Sequence, residues 1–179
     1  IDHKNCDFLA LRVGRIETAY KIYINGKLMF DNGETGTSKE NSTPFWNPTN
    51  LNFVADSSTV ELILHISNFH HRKGGVSGKI TIGTQSEIQK TANRVNYTNI
   101  FLIGVLLIIS MYHLGLFVLR TKDRSSLYFS IFCASTAVIT LFFGDVMMGK
   151  LLPKFDWTLS VKILFLSYYF TVASFVLFA

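Results

Sequence analysis

The first half of the chain alternates apolar and polar residues, a pattern typical of β-strands with one buried face. In segment 59–67, the even-numbered residues from Val60 to Ile66 are all apolar and share one face. Segments 8–13 and 79–83 are also rich in apolar and β-branched residues and are predicted to be strands.

A β-hairpin is predicted over residues 20–30, where Asn25 and Gly26 lie between alternating apolar residues. This dipeptide favours a type I′ turn, which needs positive φ at both central positions. No amphipathic helical pattern interrupts residues 1–85, so the sequence predicts an all-β exported domain there, a β-sandwich or jelly roll.

The second half contains three long runs without charged residues. No charge lies between Arg94 and Arg120, and the other runs cover residues 125–144 and 163–179. None shows the polar stripe of a buried soluble helix, and a bilayer core of about 30 Å needs about 20 residues. We therefore predict transmembrane helices at about 99–119, 125–147 and 160–179.

The segments next to these runs suggest a stiff connection and a truncated end. Residues 86–98 are polar and lack Gly and Pro, which predicts a short helix or an extended linker leading directly into the first span. Only 17 residues follow Lys162, fewer than a span usually needs, so we expect the third helix to be truncated. Residues 99–179 would then be the start of a larger helical domain.

Composition supports a membrane protein. Hydrophobic residues make up 49% and charged residues 16%, against about 25% charged in soluble domains. The net charge of +5 reflects cations that flank the spans, so no nucleic-acid partner is predicted. The two cysteines exclude a disulfide-rich scaffold and a multi-cysteine zinc module.

A cluster of imidazoles raises the question of a metal site. His65, His70 and His71 lie within seven residues. However, no acidic residue lies between Glu61 and Glu87, and adjacent histidines on a strand point to opposite faces. We predict neither a metal site nor a cofactor.

The same segment is a candidate ligand-binding loop. An alternative is a basic loop in which Gly74 and Gly75 only permit the positive φ of a turn. Four side chains supply hydrogen-bond donors or an imidazole face for a sugar or a carboxylate: Asn68, His70, His71 and Arg72.

Three further side chains have two interpretations each. Trp46 is either a stacking platform for a sugar ring or a core residue. His113 and Asp145 lie within apolar runs, where ionisable groups are costly and often functional. Asp145 is either interfacial or buried, and His113 is a candidate for a hydrogen bond to a neighbouring helix.

No nucleophile–base pair, carboxylate pair or phosphate-binding loop is present, so no enzyme activity is predicted.

The distribution of cations predicts the orientation. Loop 120–124 has three cations in five residues, whereas three cations are spread over residues 150–162. The denser loop is the better cytoplasmic candidate, which places the β-domain outside the cell.

The hairpin, the segment 67–75 (SNFHHRKGG) and the junction from Tyr112 to Phe129 together resemble the bacterial 7TMR-DISM receptors, seven-transmembrane receptors with diverse intracellular signalling modules. The resemblance implies an exported jelly roll similar to carbohydrate-binding domains, seven helices, and a histidine kinase, diguanylate cyclase or related output in the cytoplasm.

We therefore expect the input portion of a bacterial inner-membrane receptor. A small molecule, a glycan or a partner protein would bind the periplasmic β-domain, and the receptor is a candidate homodimer. The alternative is a membrane-anchored carbohydrate-binding or adhesion module without signalling. A transporter subunit is a third class, but only His113 and Asp145 would line its path.

Overall fold

The computed structural model describes residues 8–47, 49–55, 59–142 and 155–179. Within these ranges, eight short strands are followed by three long helices. The strands are β1 (Phe8–Val13), β2 (Ile16–Glu17), β3 (Ala19–Ile24), β4 (Lys27–Asn32), β5 (Thr49–Val54), β6 (Leu62–Ser67), β7 (Gly75–Val76) and β8 (Ile80–Thr84). The helices are α1 (Gln85–Leu119), α2 (Arg124–Phe142) and α3 (Trp157–Phe178).

The strands form three antiparallel sheets, with the orders β5-β1-β8, β4-β3-β6 and β2-β7. Apolar residues of the two larger sheets share one core, in which Leu11, Tyr20 and Ile22 are fully buried. The predicted β-structure of the N-terminal part is thus confirmed. The sheets are small and open, so the jelly roll stays a prediction.

The turn residues adopt the backbone angles that their loops require. Asn25 and Gly26, between β3 and β4, have φ of 48° and 74°, as a type I′ turn needs. Gly75 has a φ of 89° at the start of β7. A Cβ on Gly74 would come within 2.7 Å of the Asn68 side-chain nitrogen, so a side chain at position 74 would displace the Asn68 amide.

Helix α1 begins where β8 ends. Thr84 is both the last residue of β8 and the N-cap, and its Oγ1 accepts a hydrogen bond from the Glu87 backbone amide. Ile88 and Ala92, one turn apart, are buried where α1 packs against β1 and β8. The predicted linker, residues 86–98, is therefore helical and continuous with the first apolar run.

The three helices are long and apolar enough to cross a bilayer, and they pack around α2. Ser110 of α1 contacts Ser130 of α2, and Phe132 of α2 contacts Phe175 of α3. The apolar helices indicate an integral membrane protein. Helix α3 has 22 residues and begins at Trp157, before the start predicted at about residue 160.

Candidate functional site

A cavity of about 900 Å³ lies where the β-domain meets helices α1 and α3. Residues of β1, β8 and the loop after β6 line one side, and Thr91 of α1 contributes to the wall. Leu164, Phe165 and Tyr168 of α3 form an apolar side. The cavity is large enough for a small-molecule ligand.

The cavity wall from the β-domain is strongly cationic. One acidic residue, Glu17, also lines it. Five basic side chains converge there, namely Arg12, Arg15, Arg72, Lys73 and Lys79. A wall with this excess of positive charge favours an anionic ligand.

The acidic residue is already engaged by its neighbours. Glu17 is buried, its Oε1 lies 2.5 Å from Arg15 Nε, and its Oε2 accepts a hydrogen bond of 2.6 Å from Trp46 Nε1. The Arg15 guanidinium lies 3.6 Å from the centre of the Trp46 ring, a cation–π contact. Glu17 therefore holds Arg15 and Trp46 in place and offers little negative charge to the cavity.

The loop that contains Trp46 is held by hydrogen bonds to the core strands. Asn32 Nδ2 donates to the Phe45 carbonyl at 2.8 Å, and the Phe45 amide donates to the Thr18 carbonyl at 3.0 Å. Tyr20 Oη donates to the Asn47 carbonyl at 3.0 Å. Burial raises the pKa of the Tyr20 phenol, because the anion would lose its hydration. The phenol therefore remains a donor.

Trp46 also contacts the first residue of α3. The rings of Trp46 and Trp157 meet edge to face with centroids 5.6 Å apart. His70 and His71 approach Trp157 at 6.4 and 6.1 Å, also edge to face. Trp46 and Trp157 share an apolar cluster with Phe142 and Leu164. This cluster joins the β-domain to the helices.

Asn68 organises the predicted binding loop from within. Its Nδ2 donates to the carbonyls of His71 and Lys73 at 2.8 and 3.0 Å, and its Oδ1 accepts from the His71 amide at 3.1 Å. His71 Nδ1 in turn accepts from the Lys73 amide at 3.2 Å. The side-chain amide of Asn68 is hydrogen-bonded to the loop backbone, so Asn68 positions the loop.

The structure brings some of the predicted residues to the cavity and separates others. Trp46, His71 and Arg72 line it. His70 Nε2 lies 3.1 Å from Ser42 Oγ and 2.9 Å from the Ser42 carbonyl, which fixes the loop to residues before Trp46. His65 is exposed on β6. Within the described ranges, no group of three or more metal-ligand side chains is present.

His113, one of the two predicted intramembrane polar residues, does not line this cavity. The His113 ring meets Phe129 of α2 edge to face at 4.6 Å, and its Nδ1 has no hydrogen-bond partner among the described residues. The hydrogen bonds between α1 and α2 are made instead by Ser110 and Ser130, which each donate to the other's carbonyl. Asp145 lies outside the described residues.

Most of the cavity lining was not predicted from the sequence, including the cations Arg12, Arg15 and Lys79. Trp157, which contacts Trp46 at the edge of the cavity, was not predicted either. One signal was available, because Arg12 is a charged residue between buried Leu11 and buried Val13 on β1. A charged side chain within a buried strand indicates either that it lines a cavity or that it forms an ion pair.

Comparison with known proteins identifies the membrane half. A family model described as "7TM diverse intracellular signalling" matches residues 95–179. No curated protein and no solved structure matches the chain. The matched segment contains the apolar part of α1, all of α2 and all of α3. These residues belong to the 7TM diverse intracellular signalling family, whose membrane domain indicates a receptor with a signalling role.

Proposed function

We propose that this chain is the input portion of a bacterial inner-membrane receptor. The β-domain lies in the periplasm and binds a ligand in the basic cavity. The helices carry the signal to a cytoplasmic output domain such as a histidine kinase or a diguanylate cyclase. We assign no catalytic role to the described residues.

One observation carries this proposal: residues of the β-domain and of α3 line the same cavity. A ligand shifts an equilibrium only by its difference in affinity for the two states. A ligand held between Arg72 and Phe165 would contact both parts, so any movement of one part against the other would change its affinity. Binding can therefore bias the packing of the helices.

The connection from β8 to α1 provides the second mechanical link. Thr81 on β8 lines the cavity, and the same strand continues through Thr84 into α1 without a flexible linker. A displacement of β8 would therefore move the start of the first span. The signal would act on α1 through the backbone and on α3 through Trp157.

The test uses the full-length receptor in its host, with kinase or cyclase output as the readout. We expect Trp157→Ala to make the output independent of the stimulus, because it removes the contact with Trp46. Leu159→Ala is the matched control, since Leu159 is an exposed apolar residue of the same helix.

Unchanged stimulus dependence in Trp157→Ala would contradict signalling through this contact. If the β-domain then bound a glycan whether or not the helices were exchanged for unrelated spans, a tethered carbohydrate-binding module would be favoured. Trp46 lines the cavity as that function needs, but Arg15 covers its ring.

A further inference from the structure

We propose that the basic cavity binds the headgroup of an anionic phospholipid of the surrounding bilayer. This inference deepens the proposed function and rests on it, because it names the ligand class of the same cavity. The phosphate would be held by cations of the β-domain, and an acyl chain would lie along α3.

The cations available to a phosphate are those at the cavity mouth. The side chains of Arg72, Lys73 and Lys79 are exposed and line the cavity, and they form no ion pair within the part of the chain that the structure describes. Arg72 can form two parallel hydrogen bonds to a phosphate, and the lysines add point charge. Glu17 is neutralised by Arg15 and does not compete.

The opposite wall fits an acyl chain. Leu164, Phe165 and Tyr168 follow one side of α3, and Phe165 and Tyr168 keep 49% and 39% of their surface exposed. A soluble sugar phosphate would leave this apolar wall against water, whereas a lipid would cover it. The combination of one cationic wall and one apolar wall matches an anionic amphiphile.

The depth of the cavity is also that of a lipid headgroup. Helix α1 runs antiparallel to α2, because Ser110 contacts Ser130 and His113 contacts Phe129. Helix α3 also runs antiparallel to α2, because Phe175 contacts Phe132 and Phe178 contacts Phe129. Counted along the helices from these contacts, Leu164 lies at about the level of Asn99, where the predicted first span begins. The apolar wall therefore starts at the membrane surface.

Brominated lipids provide a direct test with the whole chain in vesicles. Trp157 lies about two helical turns outside the level of Leu164, and Trp46 lies beside it, so Tyr168→Trp supplies the reporter indole on the apolar wall itself. Bromine on an acyl chain quenches indole fluorescence at short range. We expect brominated phosphatidylglycerol to quench more strongly than brominated phosphatidylcholine at equal mole fraction, and 0.5 M salt to reduce the difference by screening.

A charge-matched pair of variants separates the cavity from general surface charge. Arg72→Gln with Lys79→Gln is expected to weaken the preference for phosphatidylglycerol by about fivefold for each cation removed. Lys27→Gln with Lys39→Gln removes the same net charge from exposed positions that do not line the cavity, and should leave the preference unchanged.

Three outcomes would overturn the inference: equal quenching by both lipids, equal effects of the two double variants, or relief of the quenching by millimolar inorganic phosphate, which would indicate a soluble anion. The proposed function fails separately. Selective quenching together with unchanged receptor output would leave the lipid site intact and remove its signalling role. Loss of stimulus dependence in Trp157→Ala, together with equal quenching by both lipids, would support the signalling role of the junction and remove the lipid site.

Discussion

Trp46 and Trp157 meet edge to face across the junction between the β-domain and the membrane helices, with ring centroids 5.6 Å apart. Both rings are nearly buried, although they come from a loop before β5 and from the first residue of α3. Edge-to-face pairs are among the favoured aromatic geometries. This contact therefore makes the position of α3 dependent on the loop that carries Trp46.

We expect Trp157→Ala to expose Trp46 and to destabilise the junction by about 3 kcal/mol or more, as for other buried aromatic truncations. The fluorescence of the remaining Trp46 should shift to longer wavelength. Leu159→Ala, at an exposed position of α3, should leave the spectrum of both tryptophans unchanged. An unshifted spectrum in Trp157→Ala would show that Trp46 is shielded by other residues.

Asn68→Ala should open the loop that presents Arg72 and Lys73 to the cavity. The substitution removes two donated bonds and leaves the His71 amide without its acceptor, at a cost of about 1–3 kcal/mol. Trypsin cleavage after Arg72 and Lys73 should accelerate, because cleavage follows the opened population. Asn52→Ala, at an exposed position of β5, should not change the cleavage rate. Equal rates in both variants would contradict the positioning role of Asn68.

The β-domain and the spans could be predicted from local patterns. The alternation in 59–67 and the Asn25-Gly26 dipeptide reflect the two faces of a strand and the angles of a tight turn. The gap between Arg94 and Arg120 reflects the cost of charge in hydrocarbon. The arrangement of the strands into small open sheets depends on long-range pairing, so it could not be predicted in the same way.

Thr84→Ala should loosen the connection between β8 and α1. It removes the N-cap bond to the Glu87 amide, with a cost of about 1 kcal/mol. We expect faster hydrogen exchange at the amides of Glu87 and Ile88. Thr98→Ala is the control, because the Thr98 hydroxyl only donates to the Arg94 carbonyl within the same helix. Faster exchange in both variants would argue against a specific cap effect.

The reciprocal hydrogen bonds of Ser110 and Ser130 should couple α1 to α2. Each hydroxyl donates to the other residue's carbonyl, at 3.0 and 2.9 Å. We expect a coupling free energy of about 0.6 kcal/mol between Ser110→Ala and Ser130→Ala. The measurement is a double-mutant cycle of unfolding in detergent micelles. Additive effects of the two substitutions would contradict the coupling.

The orientation can be tested with a membrane-impermeant maleimide on spheroplasts, in a background with Cys6→Ser. The remaining Cys133 is buried and should not react. Thr37→Cys, in the exposed loop after β4, should be labelled in intact spheroplasts. Thr121→Cys, in the loop between α1 and α2, should be labelled only after lysis. The opposite pattern would place the β-domain in the cytoplasm.

The cavity could be predicted only in part. The polarity of 68–75 drew attention to His71 and Arg72, which do line it. Arg12, Lys79 and Tyr168 also line it and come from distant parts of the chain. Strand or helix periodicity indicates which side of an element is buried but not what covers it. The tertiary fold brings them together.

The unbroken passage from β8 into α1 has a consequence for how such a receptor can vary. Each residue added between Gln85 and the apolar run would turn the β-domain by about 100° around the helix axis and raise it by about 1.5 Å. One extra residue would swing the Trp46 loop away from Trp157. Even seven residues, which restore the rotational phase to within about 20°, would raise the β-domain by about 10.5 Å and separate Trp46 from Trp157. The length of this connection is therefore expected to be kept fixed.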